Sequence, residues 1–156
     1  MLSSIDYQRL KERYTRNIKL ASLAGMALVV MMVYNVVSTT FRFPFELDFA
    51  RIIIPDLLYS YGFRATVNAE LGVGITLLAL FAIIFAVVIF LVVFAYKQRR
   101  WAFLWLGFFV LADMPLLIVI KNYQAIAVHG VLLVVLIIGA KMAGENAQLD
   151  KRLWSF

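Results

Sequence analysis

The chain predicts an all-α polytopic membrane protein: a four-transmembrane-helix bundle with interfacial helices in its first outer loop. Three observations carry that expectation. Of 156 residues, 64% are hydrophobic and only 15% charged, whereas soluble domains run near half apolar and a quarter charged. Four stretches are long and almost free of charge, and about 20 helical residues suffice to cross a hydrocarbon core of about 30 Å. Lys and Arg gather beside the ends of those stretches, which is the charge bias that orients membrane helices. Inside a bilayer the backbone has no solvent partner, so each stretch is expected to be helical.

Residues 1–19 predict a basic amphipathic helix. Ser4 suits its start, Glu12 and Arg16 form an (i, i+4) pair, and Ile5, Leu10, Tyr14 and Ile18 give it an apolar edge. Arg9, Lys11, Arg13, Arg16 and Lys19 suit the anionic headgroups of the inner leaflet, on which this helix is expected to lie before turning into the first span. That span covers residues 20–40, between Lys19 and Arg42.

The first outer loop, 41–69, is almost as apolar as a span, yet Arg42, Glu46, Asp48, Arg51 and Asp56 run through it and Pro44 and Pro55 interrupt it. Left in water, such a surface would aggregate. Two short interfacial helices, roughly Glu46–Ile54 and Pro55–Tyr61, resolve the conflict, with Pro55 in the first turn of the second. The second span covers 70–96, and its charge-free run Leu71–Tyr96 would measure about 39 Å as a helix. It is therefore expected to tilt or to emerge at one end. The third span covers 101–120 and contains Asp113; the fourth covers 122–141 and contains His129. Residues 142–156 form a tail expected to continue the last helix for a turn and return to the interface through Leu153, Trp154 and Phe156.

Orientation follows from the basic residues. Besides the five in the leader, Lys97, Arg99 and Arg100 lie in the middle turn and Lys141, Lys151 and Arg152 in the tail. The other side has Arg42, Arg51, Arg64 and Lys121. Both termini are expected to be cytoplasmic, in a multi-pass protein of the cell membrane. The net charge of +6 sits beside apolar runs rather than on a face of its own, which favours lipid phosphates over nucleic acid as its partner.

Polar side chains within spans are the candidates for chemistry. Asp113 lies eight residues before Lys121 and His129 eight after it, so both fall about 12 Å below that turn on consecutive antiparallel helices. Thr76 and Asn35 fall at similar depths in the second and first spans. Together the four residues suggest a polar pocket for a cation, a proton or a headgroup. The competing reading is an Asp113–His129 lock between two helices, with Asn35 and Thr76 as interhelical glue. Pro115 is expected to free the Leu111 carbonyl and kink the third span beside Asp113. Gly72, Gly74, Gly139 and Ala21-x-x-x-Gly25 read as places where helices approach closely.

Enzyme templates go unmatched: there is no HExxH, no Gly-rich phosphate loop and no Ser–His–acid set in order. The absence of cysteine excludes thiolate metal sites and thiol redox chemistry, and one histidine gives little for a metal. No cofactor is implied. The expectation is a non-enzymatic membrane subunit acting with partner membrane proteins, or as a homo-oligomer, in transport, export or envelope assembly. The alternatives are a self-sufficient channel or carrier using Asp113 and His129, and a membrane enzyme or quinone- or haem-binding electron carrier.

Overall fold

The computed structural model describes residues 4–41 and 47–153, with side chains described for 6–41 and 47–149. The described residues form five helices: α1 (Ser4–Phe41), α2 (Ile53–Val67), α3 (Leu71–Tyr96), α4 (Arg100–Val119) and α5 (Tyr123–Leu153). A 3-10 turn at Asp48–Ala50 precedes α2, and no strand occurs among the described residues. α1, α3, α4 and α5 are long and apolar enough to cross a membrane.

α1 is one unbroken helix of 38 residues, about 57 Å long at the helical rise. The expected turn between an interfacial leader and the first span is absent. No proline interrupts this stretch, and its apolar edge finds a protein partner instead of a membrane surface. Ile18 is fully buried, Tyr14 packs onto the same core as Met142 and Ala143 of α5, and the Tyr14 hydroxyl donates to the Glu145 carboxylate. α5 likewise runs on to Leu153 rather than stopping a turn beyond its apolar run. The suggested Ser4 cap, the Ile5 side chain and the aromatic return at Trp154 and Phe156 lie outside the described residues.

The loop between α1 and α3 also differs from expectation. In place of two short helices near 46–54 and 55–61 there is the 3-10 turn and a single 15-residue helix, α2. Pro55 is its third residue, where a missing N–H leaves no intrahelical bond unmade. α2 runs antiparallel along the first half of α3. Thr66 lies against Gly74, Gly62 lies over Leu77 and Leu78, and the rings of Tyr59 and Phe81 meet at 5.3 Å. A Cβ on Gly74 would stand 2.8 Å from the Thr66 nitrogen and overlap the Thr66 hydroxyl, so close approach requires glycine there. Gly72, two residues earlier, faces open space and is not a contact residue.

Each long helix packs on two others: α4 on α5, α5 on α1, α1 on α3 and α3 on α4. Leu28, Met32, Val88, Phe103, Leu106 and Leu136 fill the space between them. Gly139 admits the Phe103 ring, which would lie 2.6 Å from an added Cβ, and Gly25 admits Val92 at 2.9 Å. α3 is the most exposed of the four, burying only Gly74, Val88, Leu91, Val92 and Ala95.

The three tight connections share one geometry. Ala69, Gln98 and Lys121 have φ of 65°, 64° and 58°, and each turn closes with a paired set of N–H···O bonds back into the preceding helix. Glu70 donates to Ala65 and Ala69 to Thr66; Arg99 donates to Phe94 and Gln98 to Ala95; Asn122 donates to Leu117 and Lys121 to Ile118. These are Schellman closures, made here without glycine.

Candidate functional site

Asp113 and His129 meet as their equal distance from Lys121 predicts. Both are fully buried, and His129 Nε2 stands 3.3 Å from Asp113 Oδ2. The distance is that of an ion pair, yet the angles are not those of a hydrogen bond, and Nε2 is left without a hydrogen-bond partner. The two observations are compatible, because charge attraction tolerates misalignment that a hydrogen bond does not. On the far side of the ring, Nδ1 lies 2.9 Å from the Ala125 carbonyl. A carbonyl only accepts, so Nδ1 carries a hydrogen.

The main partners of Asp113 are backbone groups 60 and 59 residues away in sequence. Oδ2 accepts the N–H of Ile53 at 2.9 Å and Oδ1 that of Ile54 at 2.8 Å. These are the first two N–H groups of α2, which no intrahelical carbonyl reaches. The residue at the cap position, Ile52, has no side chain able to accept them. A carboxylate borrowed from α4 takes that role and also favours the positive end of the helix dipole.

Two asparagines complete the attachment. Asn35 of α1 donates to the Ile52 carbonyl at 3.4 Å. Asn122, in the α4–α5 connection, donates to the Asp48 carbonyl at 2.9 Å and accepts the Ala125 N–H at 3.1 Å, capping α5 as well. Segment 48–54 is thus pinned by polar side chains from α1, α4 and the start of α5. Its apolar side chains follow inward: Ala50 and Ile52 join the main core, and Ile53 packs with Leu117 and Ala125. The segment closes this end of the helices like a stopper.

Of the four predicted site residues, three therefore gather around one segment and Thr76 does not. Thr76 is exposed on α3 and its hydroxyl donates to the Gly72 carbonyl at 2.8 Å. That bond within its own helix satisfies the hydroxyl, so no neighbour is required. Arg9, Arg13, Arg16 and Lys19 are exposed on the first part of α1, and Lys11 is half-buried. Lys19 lies over the Tyr96 ring at 5.4 Å. Pro115 lies inside α4, exposed, two residues from Asp113. Asn122 was missed, although an asparagine directly before an apolar helix is a recognisable capping signal. Among the described residues no three His, Cys, Asp or Glu side chains come together as a metal site would require.

Beside the stopper lies an open polar cleft of about 700 Å³, between the end of α1, the 3-10 turn and α2. Sequence reasoning missed it, because its charges belong to the loop and its floor to a span.

The architecture defines a class, an all-helical chain with four helices able to cross a membrane, compatible with a multi-pass integral membrane protein. Comparison with protein-family models, with curated proteins and with solved structures finds no match.

Proposed function

We propose that the protein is a non-enzymatic integral subunit of the cell membrane, acting with partner membrane proteins in transport, export or envelope assembly. In this reading α1, α3, α4 and α5 form a transmembrane four-helix bundle with cytoplasmic termini, and α2 stands at the outer interface beside α3. The distribution of Lys and Arg supports that orientation: the basic start of α1, the Lys97–Arg100 turn and Lys141 fall at the same end of the helices. The observation that carries the proposal is the use made of Asp113. Its carboxylate is sealed from solvent and engaged by the backbone of the stopper, which suits a residue that fixes shape rather than one that turns over a substrate. Extraction in mild detergent followed by affinity purification tests it. A membrane protein co-purifying in fixed ratio is the expected result; a chain that elutes without one and conducts ions in proteoliposomes overturns it.

One observation favours a second reading, a small carrier or channel. His129 Nε2 is buried without a hydrogen-bond partner beside Asp113 Oδ2, an unmet polar atom next to a carboxylate within the apolar helices. Proton flux that is lost in both Asp113→Asn and His129→Gln would select that reading.

A further inference from the structure

We infer that the polar cleft between α1 and α2 binds the headgroup of a zwitterionic aminophospholipid, its phosphate at Arg64 and its ammonium at Asp48. The charges of the cleft carry the argument. Among the described residues two arginines and two aspartates line it, but Arg51 and Asp56 are already paired at 3.3 Å. That leaves one guanidinium, Arg64, and one carboxylate, Asp48, neither with an ion-pair partner among the described residues. A lone anion would meet Asp48 unfavourably and a lone cation would meet Arg64. A ligand with both charges a few bonds apart satisfies each. Ser38, Thr39 and Ser60 add hydroxyls able to accept from an ammonium or donate to a phosphate.

The position and walls of the cleft point to a lipid rather than a dissolved zwitterion. This step rests on the membrane-spanning reading. Ser38 and Thr39 belong to the last turn of α1, and Tyr34 lies one turn deeper. The cleft therefore extends from headgroup level into the first turn of the apolar span. Tyr34, Phe63 and Val67 give its walls an apolar surface that suits the glycerol and upper acyl carbons, groups that free phosphoethanolamine lacks.

The test is reconstitution into nanodiscs holding equal fractions of phosphatidylethanolamine, phosphatidylcholine and phosphatidylglycerol. Extraction into detergent and native mass spectrometry then read out the retained lipid. Phosphatidylethanolamine should be retained preferentially, and Arg64→Gln and Asp48→Asn should each reduce its retention by about two- to fivefold, the upper range of one exposed ion pair. Thr76→Val, on the exposed face of α3, should leave it unchanged. Both charged positions are exposed, so the variants should fold, and incorporation into discs confirms this separately. A protein that incorporates but retains no zwitterionic lipid overturns the cleft assignment without touching the membrane reading. Failure to incorporate overturns the membrane reading itself. Preference for phosphatidylglycerol surviving Asp48→Asn, or equal retention of the choline lipid, overturns the proposed pairing. Displacement of the lipid by an equal concentration of free phosphoethanolamine overturns the choice of a lipid over a dissolved zwitterion.

Discussion

The Asp113 carboxylate accepts the Ile53 N–H at 2.9 Å, joining residues 60 positions apart. Through this bond and its twin to Ile54, a side chain of α4 acts as the cap of α2. An acid within an apolar helix is ordinarily a candidate for proton or ion chemistry. Here its two oxygens are engaged by the backbone of the segment that closes one end of the helices.

Asp113→Asn turns one of those oxygens into an amide nitrogen, which cannot accept. One buried N–H at the start of α2 is then unsatisfied, at a cost of about 1–3 kcal/mol. The loss should appear as a lowered unfolding midpoint in detergent and as faster amide exchange at Ile53 and Ile54. Unchanged exchange at both amides would show that the cap is dispensable.

His129 touches the same carboxylate, so its removal should not be additive with that of Asp113. In a double-mutant cycle of Asp113→Asn and His129→Gln, the coupling should be about 0.5–1.7 kcal/mol, the span found for interhelical polar contacts in membranes. A coupling near zero would mean that the 3.3 Å approach contributes nothing to stability.

Gly72 and Gly74 offer a contrast two residues apart. Gly74→Ala forces a methyl into Thr66 and should destabilise by about 1–3 kcal/mol, the usual cost of overpacking. Gly72→Ala meets nothing within 4 Å and should be neutral or slightly stabilising. Equal unfolding midpoints for the two variants would contradict the α2–α3 packing.

Glycine is missing where backbone geometry favours it. Ala69 holds φ of 65°, which strains an L-residue by about 1–2 kcal/mol, partly offset by the greater unfolded-state freedom of glycine. Ala69→Gly should therefore stabilise the protein by roughly 0.5–1 kcal/mol. A lowered unfolding midpoint would show that the Ala69 methyl makes a contact worth more than the strain.

Topology can be read chemically because the native chain has no cysteine. With an impermeant thiol reagent on intact cells, Ser60→Cys should label and Arg99→Cys should label only after lysis. The reverse pattern would invert the proposed orientation.

Much of this architecture is legible from residue order. The apolar run Leu71–Tyr96 has the same ends as α3, because charge and hydropathy mark where a helix leaves an apolar medium. The meeting of Asp113 and His129 follows from counting rises along two antiparallel helices. Counting gives a shared depth only where two helices meet at one tight turn, as α4 and α5 do. Thr76 is counted from the start of α3, which runs beyond the level of the pair, since Gly25 meets both Val92 and Leu106. Nor does local pattern reveal a cap supplied from 60 residues away, so the start of α2 was misplaced by two residues, although Pro55 does stand in the first turn of its helix. The unbroken α1 went unseen for a related reason: the partner of its apolar edge, the far end of α5, lies at the other terminus of the chain.

The borrowed cap also sets a clock on biosynthesis. Sixty residues separate Ile53 from Asp113, so at about 5–20 residues per second the start of α2 emerges about 3–12 s before its acceptor exists. Asn122, which holds the Asp48 carbonyl, arrives later still. The stopper can seat only after the final hairpin has been delivered, so a nascent chain stays unsealed at that end until its last two helices are in place.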